Sequence, residues 1–201
     1  MSWHRLDADK TKSLLDTVRS SGEAILFSEK NNEAKCMRLP FYNDLLLYRI
    51  VNTASLPIFS MDFLGADDGF FYLDGSDTPL SRVSQAGKLQ LREDNIAAYV
   101  QFYFYNVVQE DGEIYPLFMD APLPDLMNQN IHASQIDLPD GAPVFTAQQD
   151  DDGFSITTPL YFGGSMMIGA IRVALDGAVT ITNIRPMLGE NLGGTINDAW
   201  T

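Results

Sequence analysis

The first segment with helical spacing of apolar residues lies near the start of the chain. Within Asp7–Ser20, Leu14, Leu15 and Val18 fall on one stripe of a helix. Asp7 can cap the first turn, and a glycine at position 22 suits a left-handed stop. The pattern therefore predicts an amphipathic helix over Asp7–Ser20.

The segment Asp94–Val108 is predicted to form a largely buried helix, although Tyr99–Tyr105 also has the composition of a strand. Asp94 can cap a helix and Gly112 follows its end. A segment of about 15 residues is long for a strand and typical of a helix. The residues at positions 99, 102, 103, 104 and 105 are all aromatic. A helix that is apolar on every side must be covered on every side, so this segment is core or the contact face of a homodimer.

Short apolar runs between turn residues predict strands in the first half of the chain. These runs are bounded by Gly, Pro, Asn or Asp, and they comprise Ala24–Phe27, Cys36–Leu39, Leu45–Asn52, Pro57–Leu64 and Phe70–Leu73.

The last third of the chain predicts a three-stranded antiparallel meander. Gly163-Gly164 and Asp176-Gly177 separate three runs and are favoured two-residue hairpin loops. With two-residue loops, Phe162 pairs with Ser165 and Leu175 pairs with Ala178. The resulting core face carries Phe154, Ile156, Leu160, Phe162, Met167, Ile171, Val173, Leu175 and Ile184. The opposite face carries Ser155, Thr157, Tyr161, Ile168, Ala170, Arg172, Ala174, Val179, Ile181, Asn183 and Arg185.

These elements predict an α+β fold, with a mostly antiparallel, meandering sheet and two main helices packed on one face. Residues 116–143 hold five of the ten prolines, which indicates a long irregular connection. The chain is predicted to be one domain, 1–201, or two sublobes, 1–115 and 144–201, joined by that connection.

The charge distribution limits the classes of partner that the protein is expected to bind. The formal net charge is -14, and the only basic residues after position 100 are Arg172 and Arg185, against 13 acidic ones. Nucleic acid and an anionic membrane surface are therefore not expected partners. The single cysteine, Cys36, cannot form an internal disulfide and is interpreted as a small buried side chain. With no apolar run of about 20 residues, we expect a soluble, cytoplasmic protein.

The two late arginines define one candidate binding site on the outer face of the predicted meander. The predicted register places Ser155 opposite Arg172 and Ile168 opposite Arg185. Guanidinium groups can bind an anion with two hydrogen bonds each. The candidate ligand-binding residues are Ser155, Tyr161, Arg172, Asn183 and Arg185; a solvated outer face is the plain alternative.

Candidate catalytic and metal chemistry is sparse. His132 lies in the proline-rich connection and is interpreted as an exposed loop residue, with a role as a general base as the alternative. The aspartates between Asp67 and Asp77 could hold a hard cation, but Asp-Gly is also a preferred turn. The run Asp150–Asp152 fails the calcium-loop pattern, because Gln148 and Pro159 occupy the end positions where acidic ligands are needed.

These observations favour a non-catalytic, acidic binding or interaction protein of unknown partner. The alternative is a domain that binds a small anionic ligand on the outer face, with or without modest acid–base catalysis. A metal-assisted enzyme that uses the Asp67–Asp77 loops is a third hypothesis. We expect no cofactor and no metal, and the sequence leans against an enzyme.

Overall fold

The structure is a computed structural model that describes residues 2–20, 27, 31–66, 69–118, 123 and 144–187. Along the chain, the elements are β1 (His4–Arg5), α1 (Ala8–Ser20), β2 (Asn32–Arg38), β3 (Leu46–Asn52), β4 (Phe59–Ala66), β5 (Gly69–Tyr72), α2 (Thr78–Gln85), α3 (Ile96–Asn106), β6 (Ile114–Pro116), β7 (Thr146–Asp150), β8 (Gly153–Phe162), β9 (Ser165–Ala174) and β10 (Val179–Pro186). The predicted α+β class with antiparallel pairing is confirmed, but the strands form two five-stranded sheets rather than one.

The first sheet is an antiparallel meander in the order β1-β2-β3-β4-β5. Its alternating side chains face two different cores because strand residues point alternately to opposite faces. On one face, Ala34, Ile50 and Phe63 pack with the apolar stripe of α1. On the other face, Leu47 and Leu64 join a larger cluster that contains α2, α3 and the second sheet.

Helix α1 follows its sequence pattern closely. The Asp7 carboxylate accepts a hydrogen bond from the Lys10 backbone N–H at 2.8 Å, which confirms the predicted cap. That hydrogen bond lowers the pKa of Asp7. Leu14, Leu15 and Val18 are all buried.

Helix α3 confirms the helical prediction for Asp94–Val108, but its N-cap is Asn95 and not Asp94. Asn95 is buried and bonds to the loops around it: its amide donates to the carbonyls of Pro40 and Gln90. Asp94 instead accepts a hydrogen bond from Arg92. Tyr99 in the first turn of α3 donates a 2.7 Å hydrogen bond to the Gly177 carbonyl in the loop between β9 and β10.

The helices therefore lie on both faces of the first sheet, and not on one face as predicted. Helix α3 is enclosed between the two sheets because its apolar surface extends all round. Tyr99, Phe102, Tyr103 and Phe104 are buried by this chain alone. Homodimerisation through this helix stays a prediction, but the uncovered face that motivated it is filled by the second sheet.

The second sheet runs β10-β9-β8-β6, and β7 also pairs with β8. The Gly163-Gly164 turn is a two-residue hairpin with Phe162 opposite Ser165, as predicted. Both glycines have positive φ, 57° and 84°, which this tight turn requires.

The register of the last hairpin was predicted wrongly next to its turn. Ala174 N–H bonds to the Ala178 carbonyl, so the loop has three residues and not two. Val179 pairs with Val173, and a bulge between Ile181 and Asn183 then restores the predicted register. A one-residue shift exchanges faces. Leu175, predicted as core, is 50% exposed, and Val179 and Ile181, predicted outside, pack against the core.

Strands β1, β6 and β7 and helix α2 were not predicted. The predicted strand Ala24–Phe27 lies outside the described residues except for Phe27, which is not in a strand. Most of the connection 116–143, including His132, also lies outside them. Among the described residues, no helix is long and apolar enough to cross a membrane.

Candidate functional site

The outer face of the second sheet brings two of the five predicted ligand-binding residues together. Ser155 lies opposite Arg172 in the β8–β9 ladder and accepts a 3.0 Å hydrogen bond from its guanidinium. Asn183 and Arg185 are exposed on β10, and Arg185 pairs with Ile168 as predicted. Tyr161 is half-buried near the far end of β8.

Arg172 already has an anionic partner within the chain. Its Nη1 and Nη2 each donate a 2.6 Å hydrogen bond to the carboxylate of Asp150. These hydrogen bonds lower the pKa of Asp150 to about 2. An external anion would have to displace this carboxylate. Arg172 and Arg185 also lie about four ladder positions, roughly 13 Å, apart. The five residues therefore do not form one compact pocket.

A better-formed concavity lies where the first sheet opens. Strand β4 pairs with β3 along its whole length, but β5 pairs only with Phe63–Ala66. Beyond that point β5 leaves the sheet and leads into α2. The opened edge of β4, together with the C-terminal end of α3 and the segment that follows it, lines a cavity of about 590 Å³. This volume is in the range of small-molecule sites.

A buried ion pair lies in the wall of this cavity. Arg49 on β3 and Asp62 on β4 are directly opposite each other, with side chains 3% and 11% exposed. Arg49 Nε donates to Asp62 Oδ1 at 2.7 Å, and Nη2 donates to Oδ2 at 2.6 Å. Nη2 also donates a 2.7 Å hydrogen bond to the hydroxyl of Tyr105 on α3.

These contacts hold Arg49 in its charged form. Burial acts to lower the pKa of the guanidinium, but the hydrogen bonds and negative charge of Asp62, with a contribution from Tyr105, outweigh it and raise the pKa. The planar fork of Arg matches the carboxylate at two points. Lysine could not reproduce this geometry.

The N-terminal segment packs on the same ion pair. The Trp3 ring centroid lies 5.2 Å from Arg49 Cζ and 4.5 Å from Lys35 Nζ. Two cations, which are neighbours across β2 and β3, are therefore attracted to the negative face of the Trp3 ring. Strand β1, which starts at His4, pairs with β2 and fixes this position.

Another part of the cavity wall is held by a backbone contact at a glycine. Val108 N–H donates to the Gly75 carbonyl at 2.8 Å, which ties the end of α3 to the turn before α2. Gly75 has φ of 89°, a conformation that favours glycine. In the same wall, the Tyr115 hydroxyl donates to the carboxylate of Glu113. Burial and this carboxylate raise the pKa of Tyr115 to about 12.

The cavity has an apolar entrance. Val108 and Ile58 line it and are 79% and 62% exposed, so two large apolar side chains face water at its edge. The inner wall presents apolar groups of Val51, Leu73 and Phe104 beside the polar groups of Arg49 and Asp62. A wall that combines apolar surface with fixed polar groups is typical of sites for small organic molecules.

The other sequence candidates do not form a site in the described part of the chain. Asp74 accepts hydrogen bonds from Ser76 in a turn, and Asp67 and Asp68 are not described. Asp150–Gly153 forms a tight hairpin. No group of three or more potential metal ligands occurs among the described residues. Cys36 is half-buried rather than fully buried, and burial raises its pKa.

Comparisons with known proteins give no relative. No model of a known protein family matches the chain, and neither a curated protein nor a solved structure is significantly similar to it. The geometry of the cavity is therefore the basis for any functional argument.

The sequence pattern did not point to Arg49 and Asp62 as site residues. A signal was present, because each is the only charged residue in its predicted strand and the two strands are consecutive. A charge on a buried strand requires a partner, and the neighbouring strand of a hairpin is the nearest source. Arg49 and Asp62 lie opposite each other because β3 and β4 are joined by a six-residue loop, and the apolar pattern of the sequence does not specify that loop length.

Proposed function

We propose that this protein binds a small, mainly apolar organic molecule in the cavity beside Arg49 and Asp62. The observation that supports the proposal is the combination of an open cavity of about 590 Å³, apolar side chains at its entrance and a buried ion pair in its wall. This replaces the outer face of the second sheet as the preferred small-molecule site, because Arg172 there is engaged by Asp150.

The structure gives physical reasons for a ligand in this place. Ile58 and Val108 each leave most of their apolar surface in water, and covering this surface is favourable at about 25 cal/mol per Å². The ion pair is buried at a desolvation cost that a better-packed apolar pair would not have. Buried polar groups beside apolar surface supply orientation and specificity for a ligand.

A dye-binding experiment tests this proposal. We expect Nile red, whose fluorescence rises in apolar surroundings, to bind the wild-type protein with 1:1 stoichiometry. Ser60 lies on β4 in the cavity lining, and a Ser60→Trp substitution places a large ring in this space. The variant should lose the saturable signal.

The matched control is Ser81→Trp, because Ser81 is exposed on α2 and does not line the cavity. It should bind the dye as the wild type does. Equal binding by the wild type and Ser60→Trp would show that the cavity is not the site. Absence of saturable binding to the wild type, by fluorescence and by calorimetry, would overturn the proposal.

A second candidate function is that of a non-catalytic, acidic interaction protein with a basic partner. The charge distribution favours it, since the residues after position 100 carry 13 acidic groups and two basic ones. One of those two, Arg172, is neutralised by Asp150. Electrostatic steering of this kind weakens with salt. Titration with polylysine at low and high ionic strength should show binding only at low salt; salt-independent binding or none would contradict this candidate.

The surroundings of the proposed binding protein follow from the same properties. We propose a cytoplasmic location, supported by a single cysteine that has no intrachain partner for a disulfide. Nucleic acid and anionic membranes are not proposed partners, because the net charge of -14 repels both.

A further inference from the structure

The described residues that line the cavity carry a net negative charge. Arg49 is the one basic residue that lines it among the described residues, and Asp62 holds two of the Arg49 nitrogens. Glu113 is a second carboxylate in the lining. The described lining thus holds one guanidinium and two carboxylates, in a protein whose formal net charge is -14. An anionic ligand would enter against this field, and a cationic ligand would enter with it.

The carboxylates keep capacity for further hydrogen bonds. An ionised carboxylate has about four acceptor positions, and each Asp62 oxygen receives one hydrogen bond from Arg49. Glu113 receives one from Tyr115. A donor group on a ligand can therefore bind either carboxylate without breaking the Arg49–Asp62 pair.

Aromatic rings in the lining add to this preference. Tyr105 and Tyr115 contribute to the cavity wall, and the Tyr105 ring shows the preference directly because its centroid lies 5.5 Å from Arg49 Cζ. The face of a tyrosine ring attracts a cation, and it attracts a desolvated cation more strongly. The same wall also presents apolar surface at Leu73 and Val51, which suits the hydrocarbon part of a ligand.

We propose that the ligand is an organic amine, with a protonated nitrogen bound by a carboxylate of the lining, Asp62 or Glu113, and an apolar body that extends towards Ile58 and Val108. This inference rests on the proposed function and specifies the ligand class. The nitrogen supplies donors to carboxylate oxygens that retain acceptor capacity. The hydrocarbon covers the apolar entrance.

Three probes with the same apolar body and different head groups test the inference. We would measure dissociation constants of octylammonium, 1-octanol and octanoate by calorimetry at neutral pH. We expect octylammonium to bind about tenfold more tightly than 1-octanol, and octanoate to bind most weakly. Ser60→Trp should abolish the 1:1 binding of octylammonium, which separates the cavity from general attraction of cations to an acidic surface.

A carboxylate variant and its control locate the effect. Glu113→Gln removes one negative charge from the cavity and should reduce the difference between the dissociation constants of octylammonium and 1-octanol, which we call the gap. Glu110→Gln makes the same change at an exposed position that does not line the cavity, and it should leave the gap unchanged. Equal narrowing in both variants would show a general surface field and overturn the inference.

The outcomes separate the two proposals. If no probe binds, the small-molecule function itself fails. If octylammonium and 1-octanol bind equally, the cavity binds apolar molecules and the amine inference fails. If octanoate binds most tightly, Arg49 dominates the cavity and the ligand class is reversed.

Discussion

The buried pair of Arg49 and Asp62 predicts a strongly non-additive response to mutation. The perturbation consists of the single variants Arg49→Met and Asp62→Leu and the double variant that carries both changes. Each single variant removes the opposite charge of the pair and keeps the other charge, in surroundings that expose only 3% or 11% of the side chain. The double variant removes both charges.

The expected magnitudes follow from this burial. Loss of one partner of a buried ion pair costs about 3–5 kcal/mol. We expect about 3 kcal/mol for Arg49→Met, because the remaining Asp62 borders an open cavity that water can enter. The double variant should lose only about 1 kcal/mol, mainly because the Tyr105 hydroxyl loses its donor. It should therefore be more stable than either single variant by about 2 kcal/mol.

Urea unfolding followed by circular dichroism measures these free energies of unfolding. In a melting experiment, 3 kcal/mol corresponds to a fall of roughly 6–12 °C for a chain of this size. The matched control is the pair Arg172 and Asp150, which makes an equally short two-point contact on the exposed face of the second sheet. Its single variants should stay close to the error of the measurement. Additive losses in the Arg49 and Asp62 cycle would refute the reasoning, since they would mean that neither charge depends on the other.

Three further predictions concern other parts of the molecule. Gly177→Ala should lower the free energy of unfolding by about 2 kcal/mol or more, because an added Cβ would lie 2.5 Å from the Tyr99 hydroxyl at a backbone φ of 88°. Tyr99→Phe should lower the free energy of unfolding by about 1–2 kcal/mol. Urea unfolding measures both changes. In Arg172→Gln, carboxyl NMR titration should show the pKa of Asp150 rising from about 2 towards 3.8. Its folded pKa is depressed, so the small stabilisation that this exposed pair supplies is present above about pH 4 and is lost as the pH falls towards 2. Tyr115 has a raised pKa of about 12, so its contribution to stability is intact below pH 10 and is lost as the pH rises through 12. Phenolate absorbance measures this pKa, and alkaline unfolding of Tyr115→Phe measures the pH range in which the contribution is lost.

Local patterns predicted the elements whose spacing is unambiguous. Helix α1 and its Asp7 cap, the helical state of α3 and the Gly163-Gly164 hairpin all follow from residue type and period. Short elements were missed, because β6, for instance, has three residues and no period to detect. Such strands form because a neighbouring strand completes their hydrogen bonds, which a single sequence does not show.

The errors in the last hairpin show where pattern reasoning stops. Asp176-Gly177 suits both a two-residue loop and a three-residue loop that ends in a left-handed glycine. The choice moved Val179 and Ile181 to the core face and Leu175 into water. The candidate cavity was harder still to predict, because it requires β5 to leave β4 after a few residues. Only the paths of several segments together determine that opening.

The enclosure of α3 between two sheets also sets an order of events during synthesis. The first sheet and α3 are complete once the ribosome has passed residue 106, but β7 to β10, which cover the other side of the helix, follow only from residue 146 onwards. Translation proceeds at about 5–20 residues per second, so the aromatic surface of α3 stays uncovered for several seconds until the second sheet has been made. During that interval the nascent chain presents a stripe of tyrosine and phenylalanine rings to the cell. We expect a chaperone to hold the first half of the chain until the second sheet has been translated. A chain truncated at residue 143 should aggregate under conditions in which the full chain does not.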